Sequence, residues 1–327
     1  MRSRPREPLA EQSAMLKCPG CFICLAYLAY LDMKEYYSKP PLTIEEQARL
    51  LEARGLVIDD YEKLLSFLCN VSYYRISSYL FSFKDANDKY AVGTKLDDVY
   101  KRYTFDRRFR LLLFDGIERV ETAIKSRICN VFTMMHGVFG YLDNSCFNNF
   151  PPAGFARFLN DIDNSLAKCH EYFIEHYRTK YSNEVFPLWM VMEVIAYGTM
   201  FTMFRYMNRE EQFEIARQFA LPIRILKSWL HSLNYVRNVC AHHDRLWNRW
   251  LAIAPSLLHG TGYGEWKDID PHKPFAIMLI LSHLLRYCAP RTHWRQRMED
   301  LVDEYADLPF DRIGFPENWK NHPVWKQ

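Results

Sequence analysis

The sequence predicts an all-α protein, and three observations carry that prediction. Only 12 glycines are spread over 327 residues, so tight turns are few. The long segments between them place apolar residues at helical spacing. An apolar fraction of 49% and an aromatic fraction of 16% supply enough side chains for one large core or two smaller ones, and argue against disorder. The net charge of +3 neither demands nor excludes a nucleic-acid partner, so local charge has to decide.

The elements follow in order. Pro40 and Pro41 break the chain, and Thr43 with Glu46 makes a capping box for a short helix that stops at Gly55. A second helix begins near Asp59 or Asp60 and carries the aromatic stretch Tyr73–Phe81, which at helical spacing reads as core rather than as a base-stacking platform. A turn-rich connector, Lys84 to Gly93, leads to a long helical region from Leu96 to about Met135. There Leu112, Ile117, Val120, Ile124 and Ile128 form the apolar side, and the arginines around Arg107, Arg108 and Arg110 offer a phosphate-tracking patch. Val138 to Gly154 reads as a loop, followed by helices over Phe155–Tyr177, Pro187–Tyr206, Arg209–Ala220 and Pro222–Asn238. Beyond a loop from Ala254 to Pro271, helices are expected over Phe275–Cys288 and His293–Tyr305, then an extended tail around Gly314-Phe315-Pro316. No internal repeat is present. Glu193 lies in an apolar run and calls for a buried arginine as partner.

Nine cysteines, an odd number, fit reduced thiols inside a cytoplasmic protein, with Cys69 and Cys129 in apolar helical patterns. Cys18, Cys21 and Cys24 fall at C-x-x-C-x-x-C spacing, yet a zinc or iron–sulfur site would need a fourth ligand, and no spaced partner follows nearby. The apolar run behind them is interrupted by Asp32, lacks a small-residue cleavage site and is too short to span a bilayer. Residues 1–32 therefore read as a non-native or disordered leader before a start at Met33. Residues 33–95 then form an N-terminal helical subdomain, and residues 96–327 the main helical domain with a C-terminal extension.

The chemistry concentrates in Arg237-Asn238-Val239-Cys240-Ala241-His242-His243-Asp244-Arg245-Leu246-Trp247-Asn248-Arg249. A permanently charged guanidinium and an imidazole that titrates near neutrality can together bind a scissile phosphate and move a proton at it. Spacing alone is weak: an arginine followed by a histidine after four to six positions should arise ~2–3 times by chance in such a chain. Arg224/His231 and Arg286/His293 are two such pairs. Arg237/His242 differs in having an amide next to the arginine, tandem histidines and a following Arg245–Arg249 cluster. On one unbroken helix Arg237 and His242 would lie about 140° apart around the axis and about 7.5 Å along it, so the helix is expected to end or loosen between them. Trp229 and Trp247 read as core anchors. Arg245, Asn248 and Arg249 read as helix-end caps, partners of Glu193, or phosphate contacts.

The stretch Ser228–Arg249 resembles the signature of the Abi-like abortive-infection family, of the AbiD/AbiF type, within the HEPN superfamily. Lys39–Thr43, Ser72–Arg75, Ile117–Glu121, Pro187–Trp189 with Glu193, and Gly314–Trp319 resemble that family too, and together they span nearly all of the chain after Met33. The resemblance implies a HEPN-like helical bundle with additional N-terminal and C-terminal helices. It also implies a metal-independent, cofactor-free endoribonuclease acting in phage defence as a toxin. Arg237, Asn238 and His242 fill its catalytic signature, and His243 also satisfies the spacing. RNA supplies its own nucleophile, the 2′-hydroxyl, so such a site needs to remove that proton, stabilise the phosphorane and protonate the leaving 5′-oxygen. The implied partners are RNA, a second copy in a homodimer, and an antitoxin or regulatory RNA, with no membrane.

Two other readings remain. His243-Asp244 is the dipeptide of helical metal phosphohydrolases, which also need a separate histidine and a distant aspartate. The same polar cluster could instead belong to a non-catalytic defence protein that binds RNA or a partner.

Overall fold

The computed structural model describes residues 37–258 and 266–326. Among these there are thirteen α-helices and no strand, only two isolated bridge pairs, so the fold is an all-α bundle. The leader and its three cysteines lie outside the described residues.

Helix α1 (Ile44–Ala53) starts with the expected reciprocal capping box between Thr43 and Glu46. Asp60 caps α2 (Tyr61–Val71), and the expected single helix then breaks. Ser72 takes a left-handed φ of 71°, so the chain changes direction into α3 (Tyr73–Leu80). The aromatic stretch is consequently split: Ile76, Tyr79 and Leu80 are buried, while Tyr74 and Phe81 face solvent.

Helix α4 (Leu96–His136) is 41 residues long and organises everything else. Phe105, Phe109, Leu113, Ile117, Val120, Ile124 and Ile128 recur along its buried face. Gly116 lies where the next layers come closest: a Cβ there would sit 3.0 Å from the Trp294 indole nitrogen and 3.2 Å from Leu281. The small residue thus lets two later helices approach the rod.

The expected Phe155–Tyr177 helix is two helices, α5 (Pro152–Ala167) and α6 (Tyr172–Lys180), with Glu171 extended between them. The Pro187–Tyr206 helix likewise divides into α7 (Leu188–Val194) and α8 (Tyr197–Tyr206) at extended Ile195 and Ala196. Lys125 of α4 donates to the Ile195 carbonyl at 2.7 Å, satisfying an acceptor that a continuous helix would have used internally. Helices α9 (Arg209–Arg217) and α10 (Ile223–Ala241) follow.

After the second described segment begins, α11 (Pro274–Cys288) is buried at every position from Pro274 to Leu285, and α12 (Trp294–Glu304) packs on α4. The tail is not extended. It folds into two 3-10 turns and α13 (Pro323–Lys326), with Gly314 left-handed and Phe315, Trp319 and Trp325 buried. Aromatic edges pay for the sharp turns there: Phe315 meets Trp319 and Phe275, and Trp319 meets Trp325.

Helix α4 packs against α3, α7, α8, α9, α10, α11 and α12, and buried side chains from Ala48 to Trp325 form one contiguous cluster. No helix among the described residues is long and apolar enough to cross a membrane. The six described cysteines are free; Cys129 is buried as expected, whereas Cys69 is exposed on α2.

Candidate functional site

Helix α10 carries the motif, and its end decides how the motif is displayed. The helix does not loosen between Arg237 and His242 as the spacing suggested. It continues through Ala241, and the His242 N–H still donates to the Asn238 carbonyl at 2.9 Å. Arg237 and His242 therefore keep their angular separation of about 140°. Arg237, Cys240 and Ala241 share one face of the helix. Asn238 and His242, four positions apart, share another, and both are exposed.

The helix terminates in a Schellman arrangement. The His243 N–H donates to the Cys240 carbonyl at 3.1 Å and the Asp244 N–H to the Val239 carbonyl at 2.9 Å. The left-handed position of that arrangement, usually a glycine, is occupied by His243 at φ 59°. Strain of this kind persists only where surroundings hold it. Arg75 of α3 supplies part of the hold by donating to the His243 carbonyl.

Asp106 of α4 supplies more. Its carboxylate is buried and accepts the N–H groups of Leu246, at 3.1 Å, and Trp247, at 2.7 Å, together with the Tyr79 hydroxyl at 2.7 Å. Arg110, one turn further along α4, lies 3.3 Å from the same carboxylate. Burial pushes the Asp106 carboxyl above its usual range, and the three donors and the Arg110 charge pull against that push. The segment after the histidines is thus pinned to the central rod, and Trp247 is buried against Phe105.

Arg245 donates to the Ser78 carbonyl at 2.7 Å, and Arg249 donates to the Tyr235 hydroxyl and the Arg245 carbonyl, both at 3.0 Å. Both guanidinium groups fasten the loop to α3 and α10. Asn248 takes a left-handed φ of 52°, a conformation asparagine tolerates well. None of them meets Glu193, which corrects that expectation: Glu193 is exposed on α7 and makes no ion pair among the described residues. The buried acid that needs an arginine is Asp106. Its position on the α4 face shared by Val99, Leu113 and Ile117 was readable from helical spacing, and the Asp106/Arg110 interval of four was the available signal.

A cleft of about 680 Å³ opens beside the motif. Arg107, Arg110, Leu111 and Phe114 line it from α4, Cys240 and Ala241 from α10, His243 from the helix end, and Asn70, Val71 and Arg75 from the α2–α3 junction. Three arginines and no carboxylate border it. Arg237 lies next to it, its guanidinium carbon 5.7 Å from the Phe114 ring and its Nε buried without a hydrogen-bond partner. Burial pushes the Cys240 thiol up to about 12, so Cys240 lines the cleft as a neutral group and not as a nucleophile. His243 rather than His242 borders this cleft. Among the described residues, no group of three or more His, Cys, Asp or Glu side chains is arranged to hold a metal ion.

Comparison with protein families finds a match to the family described as Abi-like protein over residues 66–248, more than half of the chain. The chain belongs to the Abi-like protein family. The match begins within α2 and ends at Asn248, so it takes in Arg75, Asp106, Arg107, Arg110 and the whole motif up to its last position but one. The role that membership implies is abortive infection, a phage-defence response. Comparison with curated proteins and with solved structures gave no significant match.

Proposed function

We propose that this Abi-like protein is a metal-independent endoribonuclease of the HEPN type, which cleaves RNA by attack of the 2′-hydroxyl on the adjacent phosphate. The observation that carries the reading is Arg237, whose buried Nε has no hydrogen-bond partner, beside a cleft bordered by three further arginines and no acid. A guanidinium is suited to the non-bridging oxygens of a phosphate. In this reading a histidine of the tandem pair moves the proton and Asn238 orients it or the phosphate. Because Asn238 and His242 face away from Arg237 on the same helix, a second copy related by a two-fold axis brings His242 to the arginine face of its neighbour. Each of the two sites then draws its arginine from one chain and its proton-transferring histidine from the other.

The test is cleavage of a single-stranded RNA by purified protein in excess EDTA. Cleavage that leaves cyclic-phosphate ends supports the proposal. Loss of cleavage with EDTA favours a metal hydrolase using His243-Asp244, and 3′-hydroxyl products contradict 2′-hydroxyl attack. The divergence of Arg237 and His242 on one helix also favours a second reading, a defence protein that binds RNA or a partner without cutting, for which no turnover would be seen at any concentration.

A further inference from the structure

The cleft joins two parts of the chain that the motif alone does not connect. Along α4, Arg107, Arg110, Leu111 and Phe114 recur at helical spacing and form one wall. Cys240 and Ala241, on the Arg237 face of α10, form the opposite wall, and Arg75 closes one end from the N-terminal helices. The three arginines are in different states. Arg110 is buried and lies against Asp106, so its charge is offset. Arg75 donates to the His243 carbonyl and retains its other donors. Arg107 is exposed and makes no ion pair or side-chain hydrogen bond among the described residues. Its nearest charged neighbours in sequence, Asp106 and Arg108, are turned to other partners, the buried network and Glu304.

We infer that this cleft is a second phosphate-binding subsite, in which Arg107 and Arg75 hold a phosphodiester of the RNA strand next to the one bound at Arg237. The inference rests on the ribonuclease reading for the identity of the ligand. It adds a role for the N-terminal helices: Arg75 contacts substrate and, through the His243 carbonyl, reports that contact to the helix end. An anion is the ligand this border fits, since bringing one in adds no repulsion from a lining acid and gains two guanidinium partners. Apolar Leu111, Phe114 and Val71 between the charged groups offer surface for a base or ribose rather than for a free inorganic anion.

The experiment is equilibrium binding of a 2′-O-methyl RNA 12-mer, which cannot react by 2′-hydroxyl attack, across a salt series, with cleavage of the unmodified 12-mer measured on the same preparations. Arg107→Gln should weaken binding several-fold and lower the slope of log K against log salt by about 0.7, the value for one phosphate contact on a single strand. Arg75→Gln should do the same, and Arg157→Gln, an exposed arginine on α5, should change neither quantity. Arg107 makes no ion pair or side-chain hydrogen bond among the described residues, so its variant keeps the test valid should Arg75→Gln fail to fold. Unchanged affinity and slope in Arg107→Gln would overturn the subsite while leaving a cleaving enzyme intact. Wild-type binding that depends on Arg107 without any cleavage would support the subsite and overturn the ribonuclease reading. Competition by inorganic pyrophosphate as effective, per phosphate, as that by RNA would also overturn it, since a strand-holding site should favour the polymer.

Discussion

The carboxylate of Asp106 and the backbone N–H of Trp247 meet at 2.7 Å in the interior, between residues 141 positions apart. One side chain near the start of the long helix thereby fixes the segment that follows the tandem histidines. Replacing it should loosen that segment before anything else. Asp106→Ala leaves Arg110 buried without its counter-charge and two N–H groups without acceptors, and we expect a loss of about 3–5 kcal/mol in denaturant unfolding. Asp106→Asn, which keeps one acceptor oxygen, should lose less. A change below 1 kcal/mol for Asp106→Ala would show that the network is not holding the loop.

His242→Ala should reduce RNA cleavage by about 10²–10⁴ with RNA binding nearly unchanged, because the imidazole acts in the transition state. Arg237→Ala should weaken cleavage and binding together. His243 gives a sharper comparison, since it occupies a left-handed position. His243→Gly should raise stability by about 0.5–1 kcal/mol by relieving the backbone. If cleavage survives in His243→Gly and is lost in His242→Ala, proton transfer belongs to His242. The opposite outcome assigns it to the histidine that borders the cleft.

A composite site makes activity depend on assembly. Dilution below the dimer dissociation constant should abolish cleavage, and sedimentation should follow the same concentration dependence. Mixing Arg237→Ala with His242→Ala protein, each inactive alone, should restore about a quarter of wild-type activity, because half the dimers are mixed and each has one intact site. A monomer that cleaves RNA, or a mixture with no recovery despite subunit exchange, contradicts this arrangement.

His283 of α11 should shape the acid limb of stability. It is buried, its Nε2 lies 2.9 Å from the Phe219 carbonyl and its Nδ1 2.9 Å from Arg286, and burial lowers its pKa to about 4. The folded protein thus prefers the neutral ring. The stability this contributes is complete above the ordinary histidine value of 6.5 and is lost as pH falls from there through about 4, up to about 3 kcal/mol. In His283→Gln, whose amide can still donate to Phe219, the fall between pH 6.5 and 4 should be shallower than in wild type. Parallel curves for the two proteins would contradict the assignment.

Much of the fold was legible because helical periodicity is a local property. The Thr43/Glu46 box, the start at Asp60 and the whole length of α4 follow from residues within a few turns of one another. The breaks were not legible, because their causes lie elsewhere in the chain. The α7–α8 break is satisfied by Lys125, some 70 positions earlier, and nothing near Ile195 announces it. The same holds for the site. Arg237, Asn238 and the two histidines stand out as a cluster, but which histidine meets the cleft depends on a left-handed residue that is not glycine, held by Arg75 and by the Asp106 network. Glu193 is an acid among apolar residues, yet a helix of seven residues has room to turn it outward. Asp106 stands among arginines, and only the Arg110 interval is local; its backbone partners lie far along the chain.

The length of α4 also sets a schedule for synthesis. At ~5–20 residues per second, a ribosome needs roughly 7–30 s to travel from Asp106 to Trp247, and longer to release α11 and α12, which cover the rod. Through that interval α3 and then α7 to α9 can dock on the rod, but the Leu246 and Trp247 N–H groups and the Cys240, Ala241 and His243 side of the cleft are not yet made, so neither the loop nor the cleft can assemble. On the proposed ribonuclease reading, the ribosome and message that produce the chain stay protected until the motif and the helices that cover the rod have emerged. A chain ending at residue 258 keeps the full motif and lacks α11 and α12; it should be digested rapidly by protease and harmless to the cell that expresses it.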